Sequence, residues 1–268
     1  DQTQVAHGIS KYYDDKFEFR LGDFESYDKF IRKEILNRKE LQLALTIGLA
    51  SVPAAYLNEF SDTQTIVVNM CGPSSTGKST TAQLAASFWG NPKINNRGMV
   101  KTFNMTNGAM FAEIEGMNGV TIVLDDITTA AYINKTQLIY QLAQGQSRAR
   151  LSNYGKDVKQ GLPFSGLAII TSEIPILSEA ETRQGLIARV LDIEDIVWTE
   201  NAEHSSRIKN HIMGNYGVLG PRFVEFFMQL GDDRIKRDFK NVREDLLNSM
   251  EKLDNLSERI INKLAVIY

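Results

Sequence analysis

A single cysteine, Cys71, leaves no partner for an internal disulfide, and the paired cysteines of common zinc frameworks are missing with it. That scarcity suits a reducing compartment, so a cytoplasmic protein is expected. No run of eighteen apolar residues is present, and the opening DQTQVAHGISKYYDDKFEF lacks the basic-then-apolar order of a secretory leader. No membrane association is expected. Neither charge is in strong excess: 30 Lys and Arg against 33 Asp and Glu give a net charge of -3, so any nucleic-acid contact must come from a local patch. Repeats, low-complexity tracts and long linkers are absent too, which favours one core with helical additions over independent domains.

The 268 residues, 43% hydrophobic and 24% charged, suffice for a full core. The chain opens without Met and closes on INKLAVIY inside a helical pattern, so flanking parts of a longer protein are expected. Helical spacing over 23–60 (Tyr27, Phe30, Ile31, Ile35, then Leu41, Leu45, Leu49 and Val52, with Pro53 near the end) predicts two helices ahead of the core. The pattern then changes. TIVVNMC (65–71), Met99–Phe103, VTIVLDD (120–126), LAIITSE (167–173) and VLDIED (190–195) are short apolar runs that predict strands. Between them, helices are predicted at Lys78–Trp89, Ala109–Glu115, Lys135–Gln144 and Ser178–Ala188. Such alternation implies a mostly parallel five-stranded sheet covered by helices. From 200 on only helical spacing remains, giving expected divisions at 1–60, 61–198 and 199–268.

Between the first strand and its helix lies GPSSTGKS, with Gly72, Gly77, Lys78 and Ser79 in the spacing G-x-x-x-x-G-K-S. By composition this pattern arises in roughly one chain in a hundred of this length, and a preceding strand and following helix lower that further. Gly72, Pro73, Ser74, Ser75, Thr76 and Gly77 form a loop whose N–H groups can wrap a phosphate. Lys78 reaches the β and γ oxygens, Ser79 ligates Mg²⁺, and Thr80 follows in the first helical turn. VTIVLDD supplies a second element: Asp125 to hold Mg²⁺, and Asp126 where many ATPases place a glutamate that polarises water. No N-K-x-D guanine motif is present, since NKTQ at 134–137 has the wrong fourth residue; ATP is therefore the expected nucleotide.

A ring ATPase also needs a polar residue near the γ-phosphate and an arginine from a neighbouring subunit. Thr171 or Ser172 can supply the first, Arg183 or Arg189 the second, and the sequence does not choose within either pair. SRARLSNYGKDVKQGLPFSG predicts a β-hairpin ahead of the LAIIT strand, carrying Arg148, Arg150, Tyr154, Lys156 and Lys159 as candidate contacts to a nucleic-acid backbone and bases. The other basic run, Lys93, Arg97 and Lys101, reads as a solvated surface.

From about Gly22 to Phe227 the chain resembles the domain-of-unknown-function 927 family, helicase-like ATPases found with primases on phages, plasmids and other mobile elements. The resemblance rests on GPSSTGKSTTAQLAASFWGNP, TNGAMFAEIEGMNGVTIVLDD, IYQLAQGQSRAR, the TSE after the LAIIT strand, and TRQGLIARVLDI, in that order. It implies an AAA+-like P-loop NTPase fold close to superfamily III helicases, with hexameric rings that pull single-stranded or forked DNA by the hairpin. A primase or replication initiator is implied as a further partner. Lys78, Ser79 and Asp125 match the nucleotide and metal positions, and Tyr154, Lys156 and Lys159 fall on the hairpin. The chain departs from the pattern at Asp126, where relatives tend to have Glu, and at Gln146-Ser147-Arg148, where many carry lysine in a G-x-G-K-x-R run. An ATP-driven DNA helicase or translocase is thus expected. A protein remodeller, or a nucleotide-binding assembly module with slow turnover, would use the same core.

Overall fold

Apolar residues concentrate in runs too short for helices, and in the computed structural model those runs form one sheet. The structure describes residues 18–61, 64–94, 97–130, 133–147, 150–151, 158–159, 161–179, 184–250 and 254–268. The five strands are β1 (Ile66–Cys71), β2 (Val100–Thr102), β3 (Ile122–Asp125), β6 (Leu167–Ser172) and β7 (Val190–Ile193), in spatial order β2-β3-β6-β1-β7. Every pairing among them is parallel. Every residue of β1 and β6 is buried, as expected of strands covered on both faces, which is why their sequences run apolar instead of alternating. The predicted hairpin is also present: β4 (Arg150–Leu151) and β5 (Val158–Lys159) pair antiparallel, Arg150 opposite Lys159, just before β6.

Ahead of the sheet the two predicted helices become three. Helix α1 (Phe24–Phe30) runs into a π-helical turn at Ile31–Ile35, and α2 (Lys39–Leu49) and α3 (Ser51–Ser61) follow. Pro53 lies in the first turn of α3, where its missing N–H costs nothing, so it helps to begin a helix and does not end one. Lys39–Asn58 is long and apolar enough to cross a membrane by length and composition. Its buried residues Leu41, Ala44 and Ile47 instead join the core beside α4 (Lys78–Ser87), the helix after the phosphate loop. At Gly48 a Cβ would meet the Phe88 ring at 2.5 Å, so glycine sets the approach of α2 to the end of α4. The Trp89 indole there donates to the Gly48 carbonyl at 2.9 Å, and the Tyr27 hydroxyl is 2.6 Å from Ser87 Oγ.

Helices α5 (Asn107–Ile114) and α6 (Lys135–Gln144) flank the sheet, and α6 is stopped by Gly145 at φ 66. Of the predicted helix over 178–188, the described residues are helical in α7 (Ile176–Glu179) and α8 (Gln184–Ile187), and 180–183 lie outside the described residues. The tail is helical as expected: α9 (Ala202–Gly214), α10 (Leu219–Gln229), α11 (Asp232–Asn248) and α12 (Asn255–Ile267). A two-way backbone bridge, Leu21 N–H to Tyr216 O at 3.0 Å and Tyr216 N–H to Leu21 O at 2.8 Å, ties the start of the described chain to this tail. One expectation is overturned. Lys101 is not part of a solvated surface: it is buried on β2 and paired with Glu113 at 3.0 Å, because a lysine on a covered strand needs a carboxylate partner.

Candidate functional site

Strand β1 delivers the chain into the loop, and backbone conformation there explains the residue choice. Gly72 (φ 150) and Gly77 (φ 91) adopt torsions that side chains disfavour. At Gly77 an added Cβ would also lie 2.5 Å from Thr199 Oγ1. Residues 198 and 199 close on the loop from outside, Trp198 N–H donating to Thr76 O at 2.8 Å, while Thr76 Oγ1 donates inward to Pro73 O at 3.0 Å. Helix α4 starts at Lys78 without a side-chain cap, which leaves its first N–H groups available to an anion. Lys78 is 9% exposed, and its ammonium donates to Gly72 O and Pro73 O, both at 2.7 Å. The loop is therefore wrapped around its own lysine. Gly77→Ala combines left-handed strain of about 1–3 kcal/mol with the Thr199 clash. It should weaken nucleotide binding at least about tenfold by calorimetric titration; unchanged affinity would mean that the loop tolerates the shift.

The acidic side is assembled by β3 and β6, which are neighbours in the sheet. Asp125, 7% exposed, accepts from Thr171 Oγ1 at 2.7 Å, and the same hydroxyl accepts from Asp126 N–H at 2.8 Å. Thr171 thus braces both aspartates. Asp126 is exposed and leaves the strand with φ 61. Ser172, one residue on, is engaged elsewhere: its hydroxyl donates to Ile174 O at 2.6 Å and accepts from Asn69 Nδ2 at 2.9 Å. The Asn69 amide also donates to Asp192 Oδ1 at 2.6 Å, and Asp192 caps α7 through Ile176 N–H and Leu177 N–H.

Loop and acids open onto one cleft of about 570 Å³, lined by Ser74, Ser75, Gly77, Lys78, Ser79, Thr80, Asp125, Asp126, Thr171 and Ser172. Glu173 lines it as well, as do Ala202, Ser205, Ser206 and Lys209 of α9, none of which sequence reasoning assigned to the site. The buried stripe His204, Ile208 and Ile212 shows that α9 packs on something, but nothing local says that its neighbouring face returns to the phosphate loop. Among the described residues no three His, Cys, Asp or Glu side chains gather to hold a metal. Ser79 and Asp125 do supply hard oxygen donors in the cleft, a set that suits Mg²⁺, which completes its shell with water and phosphate oxygens.

Arg189, the described arginine candidate, is not among the residues lining the cleft. Arg189 precedes β7, its guanidinium 4.6 Å above the Tyr140 ring and donating to Gly185 O. Lys263 of α12 donates to Arg189 O at 3.2 Å, and burial pushes its ammonium down to about 7, with the Arg189 and Arg259 charges acting in the same direction. Arg183, Arg148, Tyr154 and Lys156 lie outside the described residues. Arg150 and Lys159 are placed by backbone, on the paired arms of the hairpin.

The profile of the family described as "Domain of unknown function (DUF927)" matches residues 2–161. A solved structure titled "SCCmec type IV Cch - active helicase" superposes with a TM-score of 0.81 at 26% sequence identity. The superposition covers 92% of this chain and 46% of that one, so the chain spans about half the length of that helicase. No curated protein matches the sequence.

Proposed function

The chain belongs to the DUF927 family, and from that premise we propose that it is the ATP-hydrolysing motor of a mobile-element DNA helicase or translocase. The observation that carries this reading is the convergence of Lys78 from helix α4, Asp125 from β3 and Thr171 from β6 on one cleft at the start of an uncapped helix. In it the loop N–H groups and helix α4 hold the β-phosphate, while Lys78 exchanges the Gly72 and Pro73 carbonyls for β and γ oxygens. Ser79 and Asp125 would hold Mg²⁺, whose contribution is to neutralise charge on those oxygens. Thr171 keeps the Asp125 carboxylate and the Asp126 backbone in register with the loop.

On this reading the active form is a hexameric ring with ATP between subunits, and Arg183 or Arg189 reaches the neighbour's nucleotide. Residues 61–198 are the ATPase core between helical segments 1–60 and 199–268. The hairpin faces the channel, with Arg148, Arg150, Lys156 and Lys159 tracking the phosphates of single-stranded or forked DNA and Tyr154 stacking on bases. A primase or replication initiator would act beside it. Lys156→Glu combined with Lys159→Glu should abolish stimulation of ATP hydrolysis by single-stranded DNA and leave basal turnover within about twofold. Undiminished stimulation in a steady-state phosphate-release assay would sink the hairpin assignment.

A further inference from the structure

Glu173, the residue after β6, has no role in the scheme above, yet it lines the cleft. Its backbone is fixed, since its N–H donates to Thr128 Oγ1 at 3.0 Å on the turn that follows Asp126. The two residues before it are tied down as well, Thr171 to Asp125 and Ser172 to Asn69 and Ile174. From this anchored position the exposed carboxylate crosses to the phosphate loop and accepts a hydrogen bond from Ser74 Oγ. One flexible acid therefore joins the end of β6 to the loop, in the same cleft as Lys78 and Asp125. Asp126 faces that cleft too, on a stem one methylene shorter and from a backbone turned out of β3 at φ 61.

We propose that Glu173 is the carboxylate that takes the proton from the attacking water, an assignment that rests on reading the cleft as a site of ATP hydrolysis. The water oxygen bonds to the γ-phosphorus, and the bond from that phosphorus to the β–γ bridging oxygen breaks. Its electron pair leaves with ADP. The proton passes to a Glu173 carboxylate oxygen and then to solvent as inorganic phosphate departs. The hydrogen bond to Ser74 gives the acid a resting place while the loop is empty. Phosphate oxygens compete for the Ser74 hydroxyl, and their charge repels the carboxylate, so nucleotide entry releases the base at the moment it is needed. The fixed backbone keeps it over the cleft.

Glu173→Gln keeps the shape and an acceptor for Ser74 but cannot take a proton. A positioned general base contributes about 10²–10⁴-fold. Glu173→Gln should therefore lower kcat by at least about a hundredfold, while affinity for a fluorescent ADP analogue stays within about threefold of the parent. Asp126→Asn should cost less than Glu173→Gln. A loss below about tenfold in Glu173→Gln, a loss matched by an equal loss of ADP affinity, or a larger loss in Asp126→Asn overturns the assignment. Lys78→Ala separates this failure from that of the underlying reading. Parent turnover that depends on Lys78 but ignores Glu173 removes Glu173 alone, whereas turnover that ignores Lys78, or no turnover in the parent, removes the hydrolytic site and Glu173 with it.

Discussion

Lys78→Ala is expected to cut ATP turnover by at least about 10²–10³-fold, because one preorganised donor is worth about 2.7–4 kcal/mol at a transition state gathering negative charge. The starting geometry explains why no neighbour substitutes for it. Lys78 is buried, it is the first residue of α4, and both of its acceptors belong to the loop it must neutralise. Truncation also removes a contact that the bound ground state shares with the transition state, so part of the loss should appear as weaker nucleotide binding. Fluorescent-nucleotide titration and phosphate release measured together divide the two effects. Hydrolysis at the parent rate in Lys78→Ala would refute the phosphate-loop assignment itself.

The largest effect on stability is expected at Trp89. Its side chain is fully buried where α4 ends, and its indole N–H donates to Gly48 O at 2.9 Å and reaches Thr121 Oγ1 at 3.2 Å. Thr121 Oγ1 in turn donates to Gly48 O at 2.6 Å and lies 2.5 Å from Ser51 Oγ, so one polar knot joins α2, α3, α4 and the entry to β3. Trp89→Ala removes a large packed ring and a donor together and should cost about 3–5 kcal/mol. Trp89→Phe, which keeps most of the packing and loses the N–H, should cost about 1–3 kcal/mol. Urea unfolding followed by circular dichroism reads both, and a loss under about 1 kcal/mol for Trp89→Ala would show that the knot does not hold the N-terminal helices to the core.

The strands and the phosphate loop were legible because each carries its signal locally. IVVNMC and LAIITS are mostly apolar and buried at every position since both faces of their sheet are covered, and the glycines of GPSSTGKS stand where the backbone takes torsions other residues avoid. What stayed hidden depends on direction or on distant partners. Thr171 and Ser172 are equivalent as composition, but successive strand residues point to opposite faces, so only one hydroxyl can meet Asp125. Lys101 looked like surface until Glu113 was placed beside it. Lys209 and its α9 neighbours line the cleft because the chain after β7 folds back through Thr199 onto Gly77, a contact between residues far apart in sequence.

The strand order has a consequence for how the protein is made. Ile66 of β1 pairs with Leu167, and Val67 with Val190, so β1 has no partner until much of the chain has been synthesised. At about 5–20 residues per second on the ribosome, β1 waits roughly 5–20 s for its first neighbour. The apolar segment before the loop is then exposed to aggregation or chaperone capture. Lys78 emerges long before Thr171, which braces Asp125, or Thr199, which closes on Gly77. A nucleotide bound in the cleft should therefore stabilise the finished chain while doing nothing to guide the nascent one.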